Sequence, residues 1–195
     1  MQWLKYTVLF FLGLSSICFG SNPDTYLEQK ISPILKLINS EAKKTNSQSS
    51  NQLVDQLTVM VLPIVDEKGI SKAVTGKYWS TASADMQSKF SNKFVRLIIK
   101  SFIAYITAGE GVSAKYRPVS DPNQKRVTVS SQVKFSNGEK WRVDYLVTES
   151  NGVWMIQDII LDGLSLVSSY REQFKPILEE KGFSGLYQLV SQVAG

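Results

Sequence analysis

A chain of 195 residues, 43% hydrophobic and 20% charged, has the make-up of one ordinary globular domain and excludes a disordered or fibrous chain. It contains no histidine, which removes Ser-His-Asp and Cys-His catalysis, histidine zinc sites and the usual neutral-pH proton shuttle. With 22 Lys and Arg against 17 Asp and Glu it is mildly basic, which favours anionic surfaces but falls short of the concentrated charge of a nucleic-acid binder.

Residues 1–20, MQWLKYTVLFFLGLSSICFG, carry one cation (Lys5), an apolar core and a small-x-small end at Cys18-Phe19-Gly20, the pattern of a cleaved secretory signal peptide. The apolar run from Tyr6 to Leu14 is too short to span a bilayer, which takes about 20 residues. Ile17 is bulky where a lipidation site at Cys18 would want a small residue, so export without a lipid anchor is the expectation. Residues 21–195 then form the mature unit, with no cysteine left and 21 cations against 17 acids, a net charge of +4. Its stability has to come from its core.

In chain order, Leu27, Ile31, Ile34, Leu35 and Ile38 share one face of a helix predicted over Asp24 to Lys44, with Pro33 inside it. The polar patch NSQSSN breaks that pattern, and Leu53, Leu57, Met60, Val61 and Ile64 begin a second helical stripe. After Pro63 a short third helix is predicted, with Asp66 as its cap and Gly76 just past its end. The longest helix starts near Thr81 or Ser83 and runs to about Thr107, with Phe90, Phe94, Leu97, Ile98, Phe102 and Tyr105 along one side. Lys89, Lys93, Arg96 and Lys100 form another stripe, read as a solvated face.

The period then changes to two. Val127, Val129, Val133 and Phe135 alternate with Thr128, Ser130, Gln132 and Lys134, and Asn137-Gly138 signals a hairpin. Trp141, Val143, Tyr145 and Val147 repeat the parity, and a turn at Ser150-Asn151-Gly152 leads into VWMIQDIIL. With a weaker strand over Val112 to Val119, closed by SDPNQ, the expected fold is α+β: a four-stranded antiparallel meander packed on one face by about five to six helices. The last helices are predicted over Leu166 to Glu180 and Ser184 to Val193, divided by Gly182.

Gly163 and Ser165 imitate half of a hydrolase nucleophile elbow, but Val167 stands in place of the second glycine and no histidine can take the proton. The reading preferred here is that Gly163 permits a tight turn and Ser165 caps the helix that follows, leaving Leu164 and Leu166 to point toward the apolar face of the sheet. For Asp158 and Asp162 the reading is solubility or capping, and for Trp79, Trp141 and Trp154 it is core packing.

GLSLVSSYREQF at Gly163 to Phe174, VTGKYW at Val74 to Trp79 followed by SKFSNKFVRLIIKSFIAYI, and the ending EKGFSGLYQLV together resemble the MlaC family, the auxiliary, toluene-tolerance-type component of a lipid-transporting ABC system. The order of pieces, from VLPIVD through the long helix and the meander to the terminal helices, is similar as well. The resemblance implies a periplasmic carrier that holds a phospholipid, tails inward, in an apolar cavity between sheet and helices. Its implied partners are an inner-membrane ABC transporter complex with a substrate-binding ring and an outer-membrane lipoprotein complex, the system maintaining outer-membrane lipid asymmetry. No metal and no cofactor are expected, the phospholipid being cargo.

A diacyl lipid has roughly 30 methylenes, each worth about 0.8 kcal/mol when buried, so only an enclosed apolar space offsets the roughly 24 kcal/mol at stake. The wall residues expected for that space are Val65, Ile70, Val74, Phe94, Ile98, Phe102, Val127, Val129, Trp141, Val143, Tyr145, Ile159, Leu164, Leu166, Tyr170 and Phe174. Each is equally a core residue by type. Arg171 and the lysine stripe are phosphate neighbours or solvated cations.

Two rival readings stand beside the carrier. One is a small enzyme with Asp144 or Asp158 as base and Tyr145 as acid, weakened because Asp144 and Tyr145 point to opposite faces of a strand. The other is a binding module for another small hydrophobic ligand or for a protein partner.

Overall fold

The computed structural model describes residues 22–42, 49–107 and 111–195. The expected signal peptide, Cys18 included, lies outside these residues, as do the end of the first predicted helix and the start of the polar patch after it. Four helices precede an antiparallel sheet and one long, kinked helix follows it: α1 (Pro23–Ala42), α2 (Ser49–Val61), α3 (Glu67–Thr75), α4 (Ala84–Thr107) and α5 (Leu166–Ala194). Short 3-10 turns, Leu62–Ile64 and Gly76–Thr81, link α2 to α3 and α3 to α4. Among the described residues no helix is long and apolar enough to cross a membrane.

Local chemistry sets the helix ends. The Asp66 carboxylate accepts from the Gly69 N–H at 2.9 Å, and Gly76, with φ +55°, ends α3 by donating its N–H to the Lys72 carbonyl. The Ser83 hydroxyl accepts from the Met86 N–H at 3.3 Å ahead of α4. In α5 the helical path breaks at Gly182, φ +62°, a conformation cheap for glycine, and this re-aims the last helical stretch onto α4.

The sheet runs β1 (Val112–Tyr116), β2 (Arg126–Phe135), β3 (Lys140–Ser150), β4 (Val153–Leu161) and β5 (Leu164–Ser165), in sequence order and antiparallel throughout. It therefore has five strands, not the expected four. Asp162 and Gly163 both take positive φ, +46° and +90°, so the chain folds back and pairs Leu164 and Ser165 with Leu161 and Ile160 before α5 begins. The buried apolar residues of β2 and β3 follow the period-2 pattern, with Val129 opposite Tyr145 and Val133 opposite Trp141, and Asp144 is buried on the other face.

One irregularity in β4 shapes the inner face. Val147 pairs Ile156 and Leu146 pairs Asp158, so Gln157 is left without an opposite number, a bulge. The extra residue lets Ile156 and Ile159, three apart in sequence, both face the helices. The free edges are covered too. The linker before α3 bridges β4, with the Asp66 N–H donating to the Ile156 carbonyl at 2.9 Å. At the other edge the Asn39 side chain exchanges two 2.8 Å hydrogen bonds with the Val112 backbone, mimicking a strand and tying α1 to β1.

The helices pack on one face of the sheet around a shared apolar core. Its densest part is aromatic: Phe90 stacks on Phe94 at 5.7 Å, Phe94 meets Phe174 at 5.4 Å, and Phe90 meets Phe183 at 5.1 Å, joining α4 to α5 on both sides of the kink. The cationic stripe of α4 has a specific role here. Arg96 donates to the Ala194 carbonyl and pairs with Asp55, while Lys100 donates to the Val193 carbonyl at 3.0 Å. Both cations thus sit at the negative end of α5, where they stabilise its last turn. Lys89 pairs with Asp85 at the surface.

Candidate functional site

The inner face of the sheet and the helices above it do not close completely. A main lobe of about 170 Å³ lies between α1, α2, the C-terminal half of α4 and the strands. A side lobe of about 60 Å³ lies toward α3 and the start of α5. Val61, Val65, Ile98, Ile99, Ile156 and Ile159 line both, so the lobes share a partition of aliphatic side chains.

Several residues expected to form walls meet here. Val65, Ile98, Phe102, Trp141, Val143, Tyr145 and Ile159 line the main lobe, and Ile70, Phe94, Leu166 and Tyr170 line the side lobe. Others do not reach it. Val74, Val127, Val129 and Phe174 are buried in the packed core beside the lobes. Leu164 is 72% exposed, because the positive-φ turn at Asp162-Gly163 carries it to the outside of the sheet rather than under the helices.

The main walls that sequence reasoning passed over belong to α1 and α2. Ile31, Ile34, Leu35 and Ile38 present the first helical stripe to the lobe, and Leu57 and Val61 the second. The stripe itself was the signal, since its spacing fixes an inward face; what it omits is whether anything fills the space opposite. Ile156, displaced by the bulge, and Leu161 complete the floor.

The polar groups around the lobes are few, and the carboxylate among them is engaged. Asp158, lining the side lobe, accepts from the backbone N–H groups of Ile159 at 2.9 Å and Val167 at 3.1 Å, and from the Ser165 hydroxyl at 2.5 Å. Ser165 in turn accepts from the Ser168 N–H at 3.0 Å. The serine of the elbow-like stretch is therefore the N-cap of α5, and Asp158 is its orienting partner, a structural network fixing the helix start against the sheet. Asp162 accepts from the Arg142 N–H at 2.8 Å.

Asp144 lies on the outer face of the sheet, bonded to the Arg142 guanidinium at 3.1 and 2.9 Å, while Tyr145 faces inward. Asp144 and Tyr145 of the enzymatic reading are thus on opposite sides, and its alternative base, Asp158, is the carboxylate engaged by Ser165 and two backbone N–H groups. Burial pushes the phenols of Tyr145 and Tyr116 above their ordinary range. Both remain neutral hydroxyls at physiological pH. Arg171 is spoken for as well: its Nε and one terminal nitrogen donate to the Ala73 carbonyl at 2.8 and 2.6 Å, closing the end of α3.

A family model described as MlaC protein matches residues 28–192. Among curated proteins, the chain is similar to the toluene tolerance protein ttg2D of Pseudomonas putida, 26% identical over 145 residues that cover 74% of this chain. That match spans 66% of the Pseudomonas protein, just under two thirds of its length. Among solved structures, the fold is similar to a phospholipid-binding protein from Ralstonia solanacearum determined in complex with a phospholipid. The TM-score is 0.75 at 26% identity, over 89% of this chain and 97% of that one.

Proposed function

This chain belongs to the MlaC family, and from that premise we propose that it is a periplasmic phospholipid carrier whose two-lobed space receives acyl chains. In this reading residues 21–195 are one lipid-binding domain, delivered by a cleaved signal peptide. It shuttles lipid between an outer-membrane lipoprotein complex and an inner-membrane ABC transporter complex, without catalysis.

The observation that carries the reading is the chemistry of the walls. Among the described residues that line the two lobes the only charged one is Asp158, whose carboxylate is already engaged by Ser165 and two backbone N–H groups. A surface that apolar recognises methylenes and leaves a phosphate head in water. The Ralstonia relative's complex with a phospholipid supports the same class of cargo.

Volume supplies the qualification. At about 170 and 60 Å³ the lobes fall short, even together, of the roughly 300–1,000 Å³ of ligand pockets, so a two-chain lipid enters by parting the walls. The small size favours a second reading, a binder of a single-chain hydrophobic ligand. Native mass spectrometry of protein released from the periplasm without detergent separates the two. A co-purified two-chain phospholipid is expected; a fatty acid or single-chain lipid alone would replace the first reading with the second, and an empty protein would defeat both.

A further inference from the structure

Among the described residues that line the main lobe, Tyr145 is the one that carries a hydroxyl, and the hydroxyl does not stand alone. Tyr116 of β1 pairs with Ser131 of β2, and Ser131 pairs with Val143 of β3, two residue pairs along from Tyr145 and so on the same face. The result is a patch of three hydroxyls on the inner face of the sheet. The Tyr116 and Tyr145 rings stack at 6.1 Å and 27°, the Ser131 hydroxyl lies within hydrogen-bonding range of the Tyr145 oxygen, and Ser131 also donates to the Val143 carbonyl at 3.3 Å.

Such a patch is unfavourable in an apolar wall unless it is used. Tyr145 is 7% exposed, and the Tyr116 hydroxyl is shut off from water without a well-formed hydrogen bond of its own. Phenylalanine at either position would pack as well and leave no polar atom to satisfy. Resting on the carrier reading, we infer that Tyr145, backed by Tyr116 and Ser131, is a polar subsite of the main lobe that donates a hydrogen bond to an oxygen carried on an acyl chain. That oxygen is either the ester carbonyl at the root of the chain or a hydroxyl along it. Tyr145 gives its proton to the ligand oxygen, while its own oxygen accepts from Tyr116 and Ser131. The subsite selects among lipids by this oxygen and is indifferent to the head group.

The test is a competition on delipidated protein, read by native mass spectrometry, among a diester phospholipid, its diether analogue with the same chains, and a diether phospholipid with hydroxylated chains. The diether lacks the carbonyl but keeps every methylene. The wild type is expected to retain the diester over the plain diether by about fivefold, the size of one net hydrogen bond, and Tyr145→Phe to bring the two to parity, with Tyr116→Phe between. A preference instead for the hydroxylated diether, again lost in Tyr145→Phe, assigns the oxygen to the chain. Equal retention of all three lipids by the wild type overturns the subsite while the carrier reading stands; retention of none overturns both. Far-ultraviolet circular dichroism of the near-isosteric Phe variants checks that the fold is kept.

Discussion

The two halves of α4 do different work with the same periodicity. In the N-terminal half Phe90 and Phe94, both fully buried, interlock with Phe174, Phe183 and Tyr170 of α5, and rings fill the space except for the small side lobe beside Phe94 and Tyr170. In the C-terminal half Ile98, Ile99, Phe102 and Ile103 face the main lobe across from α1, α2 and the strands. Branched aliphatic chains there meet without interdigitating fully. The difference teaches that an inward-facing stripe specifies which side of a helix is dry, whereas the shapes brought opposite it decide whether that dry side is solid or hollow. One helix anchors the scaffold at one end and bounds the candidate site at the other.

The sharpest way to break this contrast is to cut a ring out of the solid half. Phe90→Ala removes a residue packed against Phe94 and Phe183 and is expected to cost about 3–5 kcal/mol, read as a lowered urea midpoint. A loss under about 1 kcal/mol would show that this half is not rigidly packed. The complementary change adds volume to the hollow half. Ile98→Phe extends a side chain that lines both lobes, so it is expected to change stability by less than about 1.5 kcal/mol while displacing most co-purified lipid. Unchanged lipid content in that variant would mean the lobes are not where lipid sits.

Much of the scaffold was legible because its determinants are local. Asp66 and Gly76 bracket α3, and Asn151-Gly152 turns β3 into β4 with φ of +53° and +79°, each a matter of a few adjacent residues. The alternation of Val127, Val129 and Val133 with polar neighbours gave the inner face of β2. What the sequence hid depends on pairing across the chain. The bulge at Gln157 leaves no mark in VWMIQDIIL, yet it brings Ile156 and Ile159 to one side. The fifth strand is only two residues long, and it exists because β4 offers it an edge. Ile31 and Ile38 read as core by type, and only the empty volume opposite them makes them walls. Leu164 is the opposite case: an apolar residue beside a strand reads as inward, and two positive-φ residues turn it out.

That turn, where solid and hollow halves share α5, yields the smallest effects and the finest discrimination. Ser165→Ala deletes the N-cap of α5 and one partner of the Asp158 carboxylate, and is expected to cost about 1 kcal/mol. Because Asp158 lines the side lobe and also holds the Val167 N–H, the same change frees that wall, so lipid should exchange faster at a modest loss of stability. Leu164→Arg, one residue earlier, lies on the exposed side of the same turn and is expected to move stability by no more than about 0.5 kcal/mol. It should leave lipid retention as it was. The two variants differ by one position and by which face they touch, so a stopped-flow lipid-transfer assay on both reads the wall against the surface directly. Equal transfer rates in both would place the gate elsewhere than at the start of α5.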